Sequence, residues 1–368
     1  MRAALFTLLF ITAPFSVSAQ TEPFPTSDTY DTATVLQVLS KEHDDDAGFG
    51  RTVQQLLVKL SDGTQATMEN AAIDGRENTL LQLDQKVVVE RLDRADGSVK
   101  LLGREPYRLP AVALLAGMFF LLAIIFAGRT GFTSILGLGV SICILAFFVV
   151  PRIGRGDNPL LISFVGAVAI ACTSLYLAHG FHKRTTIALI STLITLALSL
   201  VLSILAVHIA QLFGMGSEES MFLQIGPLQA VNLRGLLLGG IVIGALGVLD
   251  DITTTQTAAI NELKRANPRM SRVALYRAGI SIGREHIASL VNTLALAYAG
   301  ASLPLLLLFW SDSNAPWWVI LNSESLVEEI VRTLVGSMTL ILAVPISTLL
   351  ACRFLSHDDS LPAHLHLH

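Results

Sequence analysis

The chain has 368 residues, 52% of them apolar and only 15% charged, with a formal net charge of −4. A soluble globular domain is about 25% charged, so an ordinary soluble protein is excluded, and a mean hydropathy of +0.61 points to a polytopic membrane protein. The small negative charge argues against nucleic acid as a partner; Cys143, Cys172 and Cys352 lie inside apolar runs, which argues against a disulfide frame or a Cys-rich metal site.

Residues 1–19 read as a secretory signal peptide. Arg2 supplies the positive start, residues 5–11 the apolar core, and Val17, Ser18 and Ala19 a small-residue cleavage site. The alternative is an uncleaved anchor helix; in either case the following segment is exported. Residues 20–31 are a polar linker. Residues 32–106 pattern as a small extracytoplasmic β domain, a five- or six-stranded barrel, OB-like or SH3-like. Residues 34–39 are its first strand. Residues 53–60 and 64–68 form a hairpin around Ser61, Asp62 and Gly63, and residues 86–92 and 99–102 form another. Asp-Gly between alternating runs is a strong hairpin signal. The acidic run Asp44, Asp45, Asp46 reads as a solvated loop, not a calcium loop.

Residues 107–354 form the transmembrane helical domain. Seven apolar spans near the required length of about 20 residues fall at about 110–127, 132–150, 159–178, 185–212, 233–250, 287–310 and 329–352. With the β domain outside, Arg129, Lys183, Arg184, Lys264, Arg265, Arg269, Arg272, Arg277, Arg284 and Arg353 fall on the inner side. That agrees with the positive-inside rule. It places the protein in the cytoplasmic membrane with a cytoplasmic C-terminus. Asn267 and Pro268 end the helix that continues from span five, and residues 271–282 read as a short interfacial helix or a plain loop. Residues 355–368 form a His-rich cytoplasmic tail. Its alternating His364, His366 and His368 suit a transition metal, but a tail with no role is the plainer reading, and the metal assignment stays unknown.

The most informative segment is residues 244–257, where a glycine-studded apolar helix runs into Asp250, Asp251, Thr253, Thr254, Thr255, Gln256 and Thr257. Each Asp at a helix centre costs about 2.5–3.5 kcal/mol on insertion scales. The pair therefore sits at the interface, faces a watery cavity or holds a cation. At helical spacing, Asp250, Thr253 or Thr254, Thr257 and Asn261 form one polar stripe, and Asp251, Thr254, Thr255 and Glu262 a neighbouring one. Hydroxyls beside carboxylates coordinate hard cations or relay protons; a solvated, Asp-capped helix extension is the competing reading. At the entry to span six, Glu285, Ser289 and Asn292 share a face and His286 and Thr293 lie on the next one. These residues are either interhelical glue or solute contacts. In span five, Gly235 with Gly239 and Gly240 with Gly244 have small-xxx-small spacing, with Gly247 one turn further, which suits close helix packing. The packing is within one chain or between copies, so a homo-oligomer stays open. No HExxH, P-loop or Rossmann pattern occurs; Gly279, Ser281 and Gly283 fit a nucleophile-elbow pattern but lack the α/β sheet that it requires.

These blocks resemble the YibE/F family of multi-pass membrane proteins. Residues 88–102 with Arg108 resemble the end of its exported β module. Residues 151–159 resemble its outer Pro-Gly-Asn-Pro turn. Residues 244–263 resemble its Ala-Leu-Gly to Asp to Glu-Leu signature, and residues 292–300 its second signature. The resemblance covers about residues 32–352. Many relatives carry one Asp where this chain has Asp250 and Asp251; alignment of the signature gives the shared role to Asp251. The resemblance implies a permease-like integral membrane protein and supplies no substrate.

The expected function is therefore transport of a cation or proton-coupled small solute through a site at the inner ends of spans five and six. Asp250, Asp251, Thr254, Thr255, Asn261, Glu262, Glu285, His286, Asn292 and Thr293 would line it. The partners are the lipid bilayer and an unknown solute or ion, with no cofactor and no enzymatic step. The alternative is a sensor or assembly subunit whose exported β domain binds a partner.

Overall fold

The structure is a computed structural model of the chain and describes residues 29–44, 51–73, 80–93, 99–226, 228–311 and 316–355. The signal peptide, most of the linker, Asp45 and Asp46 of the acidic loop, and the His-rich tail lie outside the described residues. Two compact units divide after Met118.

In the first unit, β1 (Thr29–Asp44), β2 (Arg51–Leu60), β3 (Gln65–Ile73), β4 (Lys86–Asp93) and β5 (Val99–Pro106) close into a barrel in the order β1-β2-β3-β5-β4. Every pairing is antiparallel except β3 with β5, which run parallel through Met68↔Leu101 and Glu69↔Leu102. A five-stranded barrel with a crossing connection of this kind is the OB-like of the two expected forms. Period-two patterning drives it: Val35, Leu56, Val58, Met68, Val87, Val89 and Leu101 all turn inward and are buried. The expected hairpin is present. Gly63, at φ +89°, supplies the left-handed turn position. Thr64 N–H donates to Asp62 Oδ1 at 2.8 Å, and this bond holds the Asp62 carboxyl below the usual aspartate range. β1 is longer than residues 34–39 because it pairs on both edges. Its register shifts after Val35 and after Val38, which lets one strand turn from β4 to β2. It also starts at Thr29, inside the expected linker, where Thr29 already pairs with Arg91. Buried Glu90 is held by Arg104 and by Tyr30 Oη, so its charge is compensated.

The helical part comprises α1 (Leu109–Ile144), α2 (Val150–Gly154), α3 (Pro159–His179), α4 (Lys183–Ile209), α5 (Glu218–Ile225), α6 (Leu233–Ala266), α7 (Arg272–Ala301), α8 (Leu303–Ser311), α9 (Trp317–Leu321) and α10 (Glu324–Phe354). A π-helical turn, Leu145–Val149, joins α1 to α2. By length and composition five helical stretches can cross a membrane, counting Leu109–Gly154 as one. A sixth passes if α7 and α8, bent by 57°, are taken together. The first stretch is 46 residues long; straight, it would span about 69 Å, over twice the hydrocarbon core. It is not straight. Gly128 leaves helical geometry at φ 56°, ψ −131°, and a Cβ on Gly131 would strike the backbone of Ala123. Eight residues along a straight helix lie about 12 Å apart, so the chain doubles back at Gly128. Gly128 falls between the first two expected spans, while by length and composition the whole stretch counts as one.

α6 is central, packed on α3, α4, α7 and α10, and α4 also packs on α10. Its core joins Ala167 and Leu175 of α3, Leu189 and Leu196 of α4, Leu246, Leu249 and Ile252 of α6, and Val344 of α10. The rim is apolar and open, with Phe126, Phe147 and Ile209 strongly exposed, as a lipid-facing surface is. On α6, Gly235 sits 3.4 Å (measured from a notional Cβ) from Pro159, Gly239 abuts Ser163, and Gly244 is 3.3 Å from Tyr298 Oη. These three serve close packing. Gly240 and Gly247 have nothing within 4 Å, so neither packs against a helix of this chain among the described residues.

One expectation fails at α7. Residues 271–282 are not a separate interfacial helix, because α7 runs unbroken from Arg272 to Ala301 with Ser271 as its N-cap. Asn267 does end α6, as expected.

Candidate functional site

The Asp-Thr segment lies within α6, which continues four turns beyond Asp250. Threonine is a poor helix former, but here its hydroxyls bond back to the helix. Thr253 Oγ1 donates to Leu249 O at 2.9 Å and Thr254 Oγ1 to Asp250 O at 2.7 Å.

Two faces of this segment differ. The buried face cross-links helices. Thr253 Oγ1 lies 2.7 Å from Thr192 Oγ1 of α4. Gln256, with no exposed surface, donates through Nε2 to Gly279 O of α7 at 2.7 Å and to Thr348 Oγ1 of α10 at 2.8 Å. Gly283 permits this approach: a Cβ there would stand 3.3 Å from the Gln256 amide and collide with Val344. Gln256 Oε1 and Thr257 Oγ1 are buried without a partner among the described residues.

The other face opens on a cleft of about 440 Å³. Asp251, Thr254, Thr255 and Ala258 of α6 form one wall. Arg184, Thr185 and Ala188 of α4 form another, with His179 at the end of α3 and Ser134 on the second arm of α1. Thr185 is buried, and its hydroxyl oxygen has no partner among the described residues. A buried unsatisfied hydroxyl lining a cleft is a ready contact for a ligand or water. The cleft thus offers a carboxylate, a guanidinium, an imidazole and several hydroxyls. Its volume is that of a small-molecule site.

Three of the ten expected site residues, Asp251, Thr254 and Thr255, meet in this cleft. Asp250 is half-buried on the side of α3, near enough to Cys172 to act on it electrostatically, and its Oδ1 has no partner among the described residues. Asn261 bonds to Glu262, which pairs with Arg265 at the exposed end of α6. Glu285, Asn292 and Thr293 are exposed on α7, and Thr293 bonds back to Ser289 O. The reason is angular: α7 buries Leu275, Gly279 and Gly283, and Asn292 lies nine residues past Gly283, about 180° round the helix. His286 is half-buried, with Nδ1 unpartnered among the described residues. Among the described residues no three His, Cys, Asp or Glu converge as a metal site.

Sequence reading missed Gln256, Gly279, Gly283, His179, Arg184, Thr185 and Ser134. For Gly279 and Gly283 the signal was present, the same four-residue spacing noted in α6.

A helical bundle with an apolar rim, several spans long enough for a bilayer and a polar cleft among its helix ends defines a multi-helix membrane protein. A family model of YibE/F-like proteins matches residues 115–357. The chain belongs to that family. No curated protein and no solved structure matches it.

Proposed function

We propose that this is a permease of the cytoplasmic membrane, not an enzyme, moving a small polar solute coupled to a proton or a cation. In this reading the bundle crosses seven times, the two arms of α1 being the first two crossings. The β-barrel, which begins at Thr29, is exported, and the C-terminus is cytoplasmic. The cleft is the inner-facing solute site. The observation that carries the reading is the buried Thr185 hydroxyl, without a partner among the described residues, lining the same cleft as Asp251, Thr254, Thr255 and Arg184. A mixed set of one carboxylate and one guanidinium favours a polar solute over a bare cation, with Asp251 holding its cationic part or the coupled proton.

Flux into proteoliposomes, across a panel of amino acids, small organic anions and cations, tests this. Asp251→Asn is expected to abolish the flux that wild type supports while leaving thermal unfolding unchanged. Undiminished flux in that variant sinks the proposal.

A second reading has its own observation. The barrel leaves Tyr30, Leu39 and Leu83 well exposed, and aromatic side chains such as Tyr30 are enriched where proteins meet. As a sensor or assembly subunit, the protein would lose activity on deletion of residues 32–105 and keep it in Asp251→Asn.

A further inference from the structure

A second cleft, of about 540 Å³, lies where the start of α7 meets the end of α10. Arg272, Val273 and Tyr276 line it from α7, and Leu349, Arg353 and Phe354 from α10. Beneath it Leu275 and Cys352 are buried in one apolar cluster, which fixes the two helix ends against each other.

The two walls have the same layout. On α7, Arg272 stands at the helix end and Tyr276 one turn, about 5.4 Å, deeper on the same face. On α10, Arg353 stands in the last turn and Leu349 one turn deeper. Each helix thus presents a guanidinium at the rim and an aromatic or apolar side chain below it. Val273 and Leu349 are 62% and 58% exposed. Two guanidiniums fit a phosphate diester. The apolar walls beneath them suit an acyl chain, and a tyrosine at this depth suits the boundary between the two.

We infer that this cleft is a binding site for an anionic glycerophospholipid, with the phosphate between Arg272 and Arg353 and one acyl chain along Leu349 and Val273. A free phosphate satisfies the arginines alone and leaves the apolar walls unused, so the inference commits to the lipid. It is independent of transport and holds for whichever leaflet these helix ends occupy.

The test uses the full-length protein in detergent, titrated with dioctanoyl phosphatidylglycerol, dioctanoyl phosphatidylcholine and inorganic phosphate. Binding is read by native mass spectrometry and by thermal shift. Wild type is expected to bind phosphatidylglycerol more tightly than phosphatidylcholine and to show no shift with phosphate. A basic residue near a membrane surface is worth about a fivefold gain in affinity, so Arg272→Gln with Arg353→Gln is expected to weaken phosphatidylglycerol binding about thirtyfold. Removing the same charge at the other end of α3, by Arg152→Gln with Arg155→Gln, is expected to leave binding within about twofold. Should the first pair not fold, Phe354→Glu, at the exposed end of α10, sets a carboxylate beside both arginines and is expected to weaken binding as well. Three results overturn the inference: protection by phosphate equal to that by the lipid, equal binding of phosphatidylcholine, or equal loss in the two arginine pairs.

Discussion

Gln256 hydrogen-bonds α6 to both α7 and α10, and the geometry sets the size of its contribution. Nε2 makes two bonds, at 2.7 Å to Gly279 O and 2.8 Å to Thr348 Oγ1. Hydrogen bonds between membrane helices average about 0.6 kcal/mol and reach about 1.7, so the two together contribute about 1–3 kcal/mol. Gln256→Leu keeps the volume and removes both bonds. It also removes Oε1, buried without a partner among the described residues, which returns part of the loss. The expected net destabilisation is about 1–2 kcal/mol. Gln256→Ala leaves a void as well and is expected to reach about 2–4 kcal/mol. Thr348→Val removes the acceptor without changing shape. The assay is unfolding of the purified protein in mixed micelles with rising dodecyl sulfate, run on wild type, Gln256→Leu, Thr348→Val and the double variant. The coupling energy from this cycle is expected near 0.6 kcal/mol. A coupling indistinguishable from zero, with Gln256→Leu neutral, refutes the cross-link.

Gly239→Ala is expected to destabilise by about 1–3 kcal/mol, because its Cβ would stand 2.7 Å from Ser163 Cβ. Gly240→Ala, with open space around it, is expected to be neutral or slightly stabilising in the same unfolding assay, since alanine is the better helix former. Glu324→Ala removes an acceptor shared by the N–H groups of Phe213, Gly214 and Met215, at 2.6, 2.9 and 3.2 Å. Its expected loss is about 1.5–3 kcal/mol, with most of it recovered in Glu324→Gln, as read by thermal unfolding. In the barrel, the Thr64 bond keeps the folded Asp62 pKa below its unfolded value. The stability it brings is present above the unfolded pKa and is lost as pH falls through the lower, folded one. A carboxyl-carbon titration is expected to place the Asp62 midpoint below that of an exposed aspartate. Thr64→Pro, which removes the largest of the lowering causes, is expected to raise the midpoint toward the ordinary value.

Period and spacing made the barrel strands and the long helices legible. The inward residues Leu56 and Val58 alternate with outward neighbours, and Asp-Gly marks the turn between β2 and β3. The Asp251, Thr254, Thr255 stripe was legible because residues three and four apart share a helix face. What spacing does not give is which face meets which helix. Arg184 and Thr185 stand more than sixty residues before Asp251, and no local pattern links them. Asn292 was grouped with the Asp pair because it is polar and one span away, but α7 turns the opposite side toward its neighbours. That side, Leu275, Gly279 and Gly283, is built largely of glycine, which carries no hydropathy signal. The exposed Arg272, Arg277 and Arg284 dominate the reading of the segment instead. Hence residues 271–282 resemble a surface helix in sequence and form the first turns of a packed one in the structure.

The closed barrel limits how anything can grip it. Most of its strand edges are paired, β1 with β2 and β4, β2 with β3, and β4 with β5. The exception is the seam where β3 and β5 meet through Met68↔Leu101 and Glu69↔Leu102, and recognition by strand addition, in which a peptide zips its own main chain onto a free edge, is confined to that seam. Elsewhere a visitor must read side chains, so selectivity there rests on outward-facing residues such as Tyr30 and Leu39 and not on backbone.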